Sequence, residues 1–121
     1  MIDRTEPGAG ERDQAALARL RLSSIRRRIV LAADFGRDWP LWEDDQENDV
    51  LNIFASPDDY GLSDVLTLRV RKWFDFWSAH YDPNTLWDSP ANQVTWHNDG
   101  RAIAESLRDE VRDFADVEFP G

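Results

Sequence analysis

The sequence predicts a small α/β (α+β) domain: a short sheet of three to four strands with two main helices on one face, preceded by an N-terminal leader that includes a short helix. Three observations predict it. The run Ile29-Val30-Leu31-Ala32-Ala33 is continuously apolar and too short for a helix, which suits a strand buried on both faces in the middle of a sheet. Leu66, Val70, Trp73, Trp77 and Tyr81 recur at helical spacing, and so do Trp96, Ile103, Leu107, Val111 and Phe114. The chain has 121 residues and six Trp, enough for one core without disulfide or metal staples.

Along the chain, residues 1–24 read as the leader. Pro7, Gly8 and Gly10 break regular structure, and the Ala/Leu/Arg segment that follows forms the short helix, with Leu17, Leu20 and Leu22 near one face. Residues 25–121 form the single α/β domain. After the first strand, Gly36 opens a turn and Pro40 holds Trp39 extended. Leu41-Trp42 belongs to a second short strand, and residues 49–55 to another, packing through Val50, Ile53 and Phe54. Ser63 is a good N-cap for the next helix, with Asp64 in its first turn. Val65, Leu68 and Phe76 widen that helix's apolar stripe.

Residues 82–90 connect to the second helix, with Trp87 as the large anchor. That helix starts either at Ser89-Pro90 or after Gly100. In the first case Gly100 costs about 1 kcal/mol relative to Ala unless close packing needs its missing side chain. Val117 and Phe119 alternate in a last strand stopped by Pro120.

Charge is unevenly spread. The net charge is −10, yet residues 1–37 carry eight Arg and five acids, whereas residues 38–121 carry six Lys/Arg and nineteen acids. A body this acidic repels phosphate, which argues against direct nucleic-acid binding despite Arg26-Arg27-Arg28. The chain has no Cys, and hence no disulfide, thiolate metal site or Cys nucleophile. With no apolar h-region at the N-terminus and no long apolar run, the chain reads as soluble, non-secreted and cytoplasmic.

Three stretches together carry a resemblance: residues 29–42 (Ile-Val-Leu-Ala-Ala-Asp-Phe-Gly, then Trp-Pro-Leu-Trp), residues 61–82, and residues 96–111 with Gly-Arg-x-x-Ala-x-x-Leu. Over about residues 28–119 the chain resembles a group of small, acidic bacterial α/β proteins. The resemblance implies a compact α/β domain and no established activity. Proteins of this size and acidity also resemble immunity proteins of bacterial toxin systems, an analogy of shape and charge.

For chemistry, the run of carboxylates between Asp38 and Asp49 with Asp34 could surround Mg²⁺ or Ca²⁺, but its spacing does not fit a calcium-binding loop, and a solvated acidic loop is the simpler reading. Two His without Cys make a poor zinc site. No cofactor or metal is therefore expected. No Gly-x-Ser-x-Gly or phosphate-binding glycine motif occurs. Asp34, at a strand end, is the best single candidate for acid–base work, with His97 beside it in an alternative hydrolase or metal-dependent reading. Its simpler role is a turn residue bonding its own backbone. His80 suits a helix C-terminus, and His97 could pair with Asp99.

Interaction is the leading reading. Nine acids and no Lys or Arg lie between Asp38 and Asp64, with aromatic rings among them. Aromatic anchors rimmed by acids suit a basic protein partner, in an immunity-like role. The expected contact residues are Trp39, Trp42, Glu43, Asp44, Asp45, Asp58 and Asp59. Because residues three apart on an extended segment face opposite sides, Trp42 is expected inward and Trp39 available. A nucleic-acid mimic is a further alternative.

Overall fold

The computed structural model describes residues 14–22, 26–45, 50–52 and 55–120. Helix α1 (Gln14–Leu22) precedes strands β1 (Arg27–Leu31), β2 (Leu41–Asp45) and β3 (Val50–Asn52), and a 3₁₀ turn spans Pro57–Tyr60. Helix α2 (Asp64–His80), a ribbon of β4 (Tyr81–Asp82) and β5 (Leu86–Trp87), helix α3 (Pro90–Val111) and strand β6 (Ala115–Glu118) follow. The main sheet has the order β3-β2-β1-β6, antiparallel except for the parallel β1–β6 pair. This is the expected α+β architecture. The β4–β5 ribbon, in a segment expected to be a plain connection, is an addition. Ile53 and Phe54 lie outside the described residues.

Burial on β1 alternates rather than filling both faces. Ile29 and Leu31 are fully buried, whereas Arg28 and Val30 are only half-buried. The register explains why. Leu31 pairs with Leu41, and Ile29 with Glu43 and Val117, all on the helix-covered face. Val30 pairs with Trp42 and Glu118, and Arg28 with Asp44, on the other. A sheet with antiparallel strands needs helices on one side only.

Ser63 caps α2 as its sequence predicts, its hydroxyl accepting from the Leu66 amide at 3.2 Å. Glu110 of α3 in turn accepts from the Ser63 amide at 2.8 Å and hydroxyl at 2.6 Å, fastening the start of α2 to the end of α3. The buried stripe of α2 is Leu66, Val70, Trp73, Phe74 and Trp77. Val65 and Leu68 do not widen it; they are exposed, and the stripe widens instead through Phe74. Tyr81 leaves the helix to open β4. Leu17 and Leu20 of α1 bury in the same core, while Leu22 points to solvent.

The two long helices are clamped by tryptophan. Trp73 and Trp96 stack with ring centroids 4.3 Å apart and planes 9° from parallel. Each indole N–H donates to the other residue's backbone carbonyl, Trp73 to Trp96 at 2.9 Å and Trp96 to Trp73 at 3.3 Å. Helix α3 starts at Ser89-Pro90 and runs through Gly100, which takes the close-packing role. A Cβ at Gly100 would stand 2.8 Å from Trp73 Cζ2 and 2.5 Å from Phe119 Cζ. Phe119 lies past the end of β6 and can swing; the Trp73 ring is held by its stack and hydrogen bond. Gly100→Ala is therefore expected to destabilise the domain by about 1–3 kcal/mol through overpacking, despite the ~1 kcal/mol that Ala contributes to an ordinary helix interior. Urea unfolding of the two chains measures the net sign.

Candidate functional site

Each arginine of the triplet at the start of β1 pairs with an acid, although the buried Arg27 Nε has no hydrogen-bond partner among the described residues. Arg26 donates to Asp116 at 3.0 Å and to the Arg112 and Ala115 carbonyls. Arg27 reaches both oxygens of Glu43 at 3.0 Å, and the Tyr60 hydroxyl donates to the same carboxylate at 2.8 Å. Burial, then the Glu43 charge, push the Tyr60 hydroxyl pKa well above its ordinary value. Arg28 bridges Asp44 at 2.8 Å and Glu118 at 2.5 Å, and its pKa is raised chiefly by the hydrogen bond to Glu118. The triplet thus holds the two strands flanking β1.

These contacts divide the expected partner-binding set. Glu43 is not a rim residue: only 16% of its side chain is exposed, and it is bound by Arg27 and Tyr60 on the core face. Asp44 lies on the open face, paired with Arg28. The side chain of Asp45 is outside the described residues, as are Glu47 and Asp49. Asp58 and Asp59 are exposed on the 3₁₀ turn, where Asp59 accepts from the Ser56 amide at 2.9 Å.

The tryptophan assignments reverse. Pro40 and Leu41 take the inward positions, both fully buried. Trp42 lies across the sheet on the open face, its indole donating to the Ala32 carbonyl at 3.1 Å and Arg37 stacked 3.8 Å over its ring. Burial lowers the Arg37 pKa. Trp39 packs against the core edge under Arg71, whose guanidinium sits 4.2 Å over the ring and donates to the Asp38 carbonyl at 2.6 Å. Odd spacing does separate the rings. The bend at residues 38–40 sends Trp39 toward α2, so the sheet register begins only at Leu41.

A cleft of about 750 Å³ opens beyond the carboxyl ends of β1 and β6. Their parallel pairing brings Ala32–Phe35 and Phe119–Pro120 to one place, and the ends of α2 and α3 with the β4–β5 ribbon close the remaining sides. Its walls are aromatic: Phe35 to Trp77 4.4 Å, Trp77 to Tyr81 5.1 Å and Tyr81 to Trp87 5.6 Å between centroids. Sequence reasoning missed this cleft, although Trp77, Tyr81, Trp87 and Trp96 were visible as anchors.

Asp34 and His97, the alternative catalytic pair, both line the cleft without a hydrogen bond to each other. Asp34 has its expected turn role, accepting from the Phe35 amide at 2.8 Å. His97 meets Trp96 edge-on rather than pairing with Asp99. His80 pairs with Asp88 at 2.7 Å, and Asn92 donates to the same carboxylate at 2.9 Å, tying the ribbon to both helices. Among the described residues, no three His, Cys, Asp or Glu side chains gather to hold a metal ion.

Two expected outcomes follow from these bonds. Glu43→Ala should lower unfolding free energy by about 2–4 kcal/mol, because it removes hydrogen bonds to a charged group and leaves the buried Tyr60 hydroxyl without its acceptor. Thermal or urea unfolding checks it. The Asp88 pKa is lowered, first by Asn92 and then by His80. A depressed carboxylate stabilises the fold fully above its ordinary value of 3.8 and loses that contribution as pH falls through the lower folded value. NMR titration of Asp88 should give a midpoint below the ordinary one, rising toward it in Asn92→Ala.

No curated protein matches the chain in sequence. The sequence model of the family described as "Serratia CdiI immunity protein-like" matches residues 27–120, which run from the first residue of β1 to just past the end of β6. That span is the whole sheet with both long helices, and the chain belongs to this Serratia CdiI immunity protein-like family.

Proposed function

We propose that this protein is an immunity protein that binds a toxin protein with a basic surface and neutralises it by stoichiometric association in the cytoplasm. The observation that carries the reading is the family match over residues 27–120, which hold the whole sheet and both long helices. The acidic excess of residues 38–121 supports the basic character of the partner, since opposite potentials steer encounter and suppress wrong partners. None of the described helices is long and apolar enough to cross a membrane.

Position in the fold supports a revised contact set. Asp58 and Asp59 project from the 3₁₀ turn beside the acid-bearing strand β2, to which Tyr60 is tied through Glu43. Trp42 and Asp44 stand on the open sheet face, and Asp45 belongs to the set by its place at the end of β2. Glu43 and Trp39 support this surface from behind rather than touching the partner. The hydrolase alternative needs a base within reach of an orienting partner. Asp34 and His97 supply only a common cleft, so binding is the better-supported activity.

Two measurements test the proposal. Coexpression with the product of the neighbouring gene should yield a one-to-one complex and relieve that product's toxicity; independent migration of the two chains and undiminished toxicity would reject it. Asp58→Lys should slow association about two- to tenfold at low salt, with the difference closing as added salt screens the charges. A rate insensitive to both charge and salt would count against a basic partner.

A further inference from the structure

We infer that the aromatic cleft beyond β1 and β6 receives a single cationic side chain, a guanidinium or ammonium, projecting from the bound partner. The inference rests on the immunity reading for the identity of the partner, but its chemistry comes from the cleft. Among the residues lining the cleft, Asp34 is the one acid and none is Lys or Arg. Four acids elsewhere are held in ion pairs: Asp116 with Arg26, Glu43 with Arg27, and Asp44 and Glu118 with Arg28. Among the described residues, the Asp34 carboxylate accepts the amide of its own neighbour, Phe35, which leaves lone pairs for a further donor. Arg37 stands close enough for its charge and that of Asp34 to act on each other, while its guanidinium stacks over Trp42 and donates to the Trp39 and Leu41 carbonyls.

Around that carboxylate stand ring faces suited to a cation. Phe35 is 48% exposed, and Tyr81 and Trp87 are half-buried, joined through Trp77 in a continuous chain of ring contacts. A cation over such rings is attracted by their quadrupoles, and more strongly when desolvated. The rim carries a second sign of a docking site. Leu86 is exposed and holds φ at +66°, left-handed backbone that a branched side chain adopts at a cost. The two-stranded ribbon keeps this apolar side chain at the cleft's edge, where the aliphatic stem of an Arg or Lys would pass. A phosphate or nucleotide is a poor occupant because Asp34 would repel it.

The test uses the full chain and two probes. N-acetyl-arginine methylamide should give saturable shifts of the Trp77 and Trp87 indole N–H signals in ¹H–¹⁵N NMR spectra. Its neutral isostere, N-acetyl-citrulline methylamide, should bind about fivefold or more weakly, the scale of a charge-assisted contact. Asp34→Asn keeps an oxygen for the Phe35 amide and should abolish the difference between the probes. Phe35→Leu, at an exposed position, should weaken the arginine probe alone. Equal response to both probes, or an unaltered preference in Asp34→Asn, overturns the inference. With the toxin itself, Asp34→Asn should raise Kd about tenfold while one-to-one binding persists. An unchanged Kd rejects the cleft as a contact and leaves the immunity reading standing. Failure of the wild-type chain to bind the toxin rejects that reading, while the probe titration still decides whether the cleft takes a cation.

Discussion

The stacked pair Trp73–Trp96 is the contact on which the remainder of the domain depends. Two buried indoles would ordinarily leave two N–H donors without water. Here each donor finds the other residue's backbone carbonyl, so the polar groups are satisfied by the same contact that buries the rings. The stack sets the approach of α2 to α3, and Gly100 permits it by offering no side chain to Trp73 or Phe119. Beside this stack, Trp77, Tyr81 and Trp87 line the cleft together with Trp96 itself.

Electrostatics organise the opposite side of the molecule. A body with a large acidic excess needs cations where its strands meet, and Arg26, just before β1, with Arg27 and Arg28 within it, supplies three in succession. Alternation sends Arg27 to the core face and Arg28 to the open face, so adjacent arginines neutralise Glu43 on one side and Asp44 with Glu118 on the other. Glu43 is the consequence for binding. In the linear sequence it is one of a row of acids; in the fold it is consumed by Arg27 and Tyr60, and the charge left to meet a partner lies on Asp58, Asp59 and neighbouring acids outside these pairs.

Much of the architecture was legible beforehand because it depends on local pattern. The 3.6-residue recurrence from Leu66 to Trp77 and from Trp96 to Val111, the Ser63 and Ser89 caps, and the apolar run at Ile29 each carry their own physical signal. Errors arose where pattern was read without neighbours. Val65 and Leu68 are apolar yet face water, because the helix has one partner layer and that layer meets Phe74 instead. Odd spacing separates Trp39 from Trp42, but onto the sides opposite to those that strand alternation predicts, since the bend at residues 38–40 resets the alternation before β2 begins.

The sequence by itself determined the element types, the one-sided helical layer, the acidic excess and the exclusion of thiol chemistry, all properties of composition or short-range periodicity. Only the tertiary structure decided which acids are spent in ion pairs, which tryptophan faces outward, and that an aromatic cleft exists with Asp34 in its wall. Those facts depend on which strands lie side by side and in what register. The parallel pairing of β1 with β6, whose partners such as Arg27 and Ala115 lie 88 residues apart in the chain, brings the ends of two strands to one place, and no local pattern encodes that meeting.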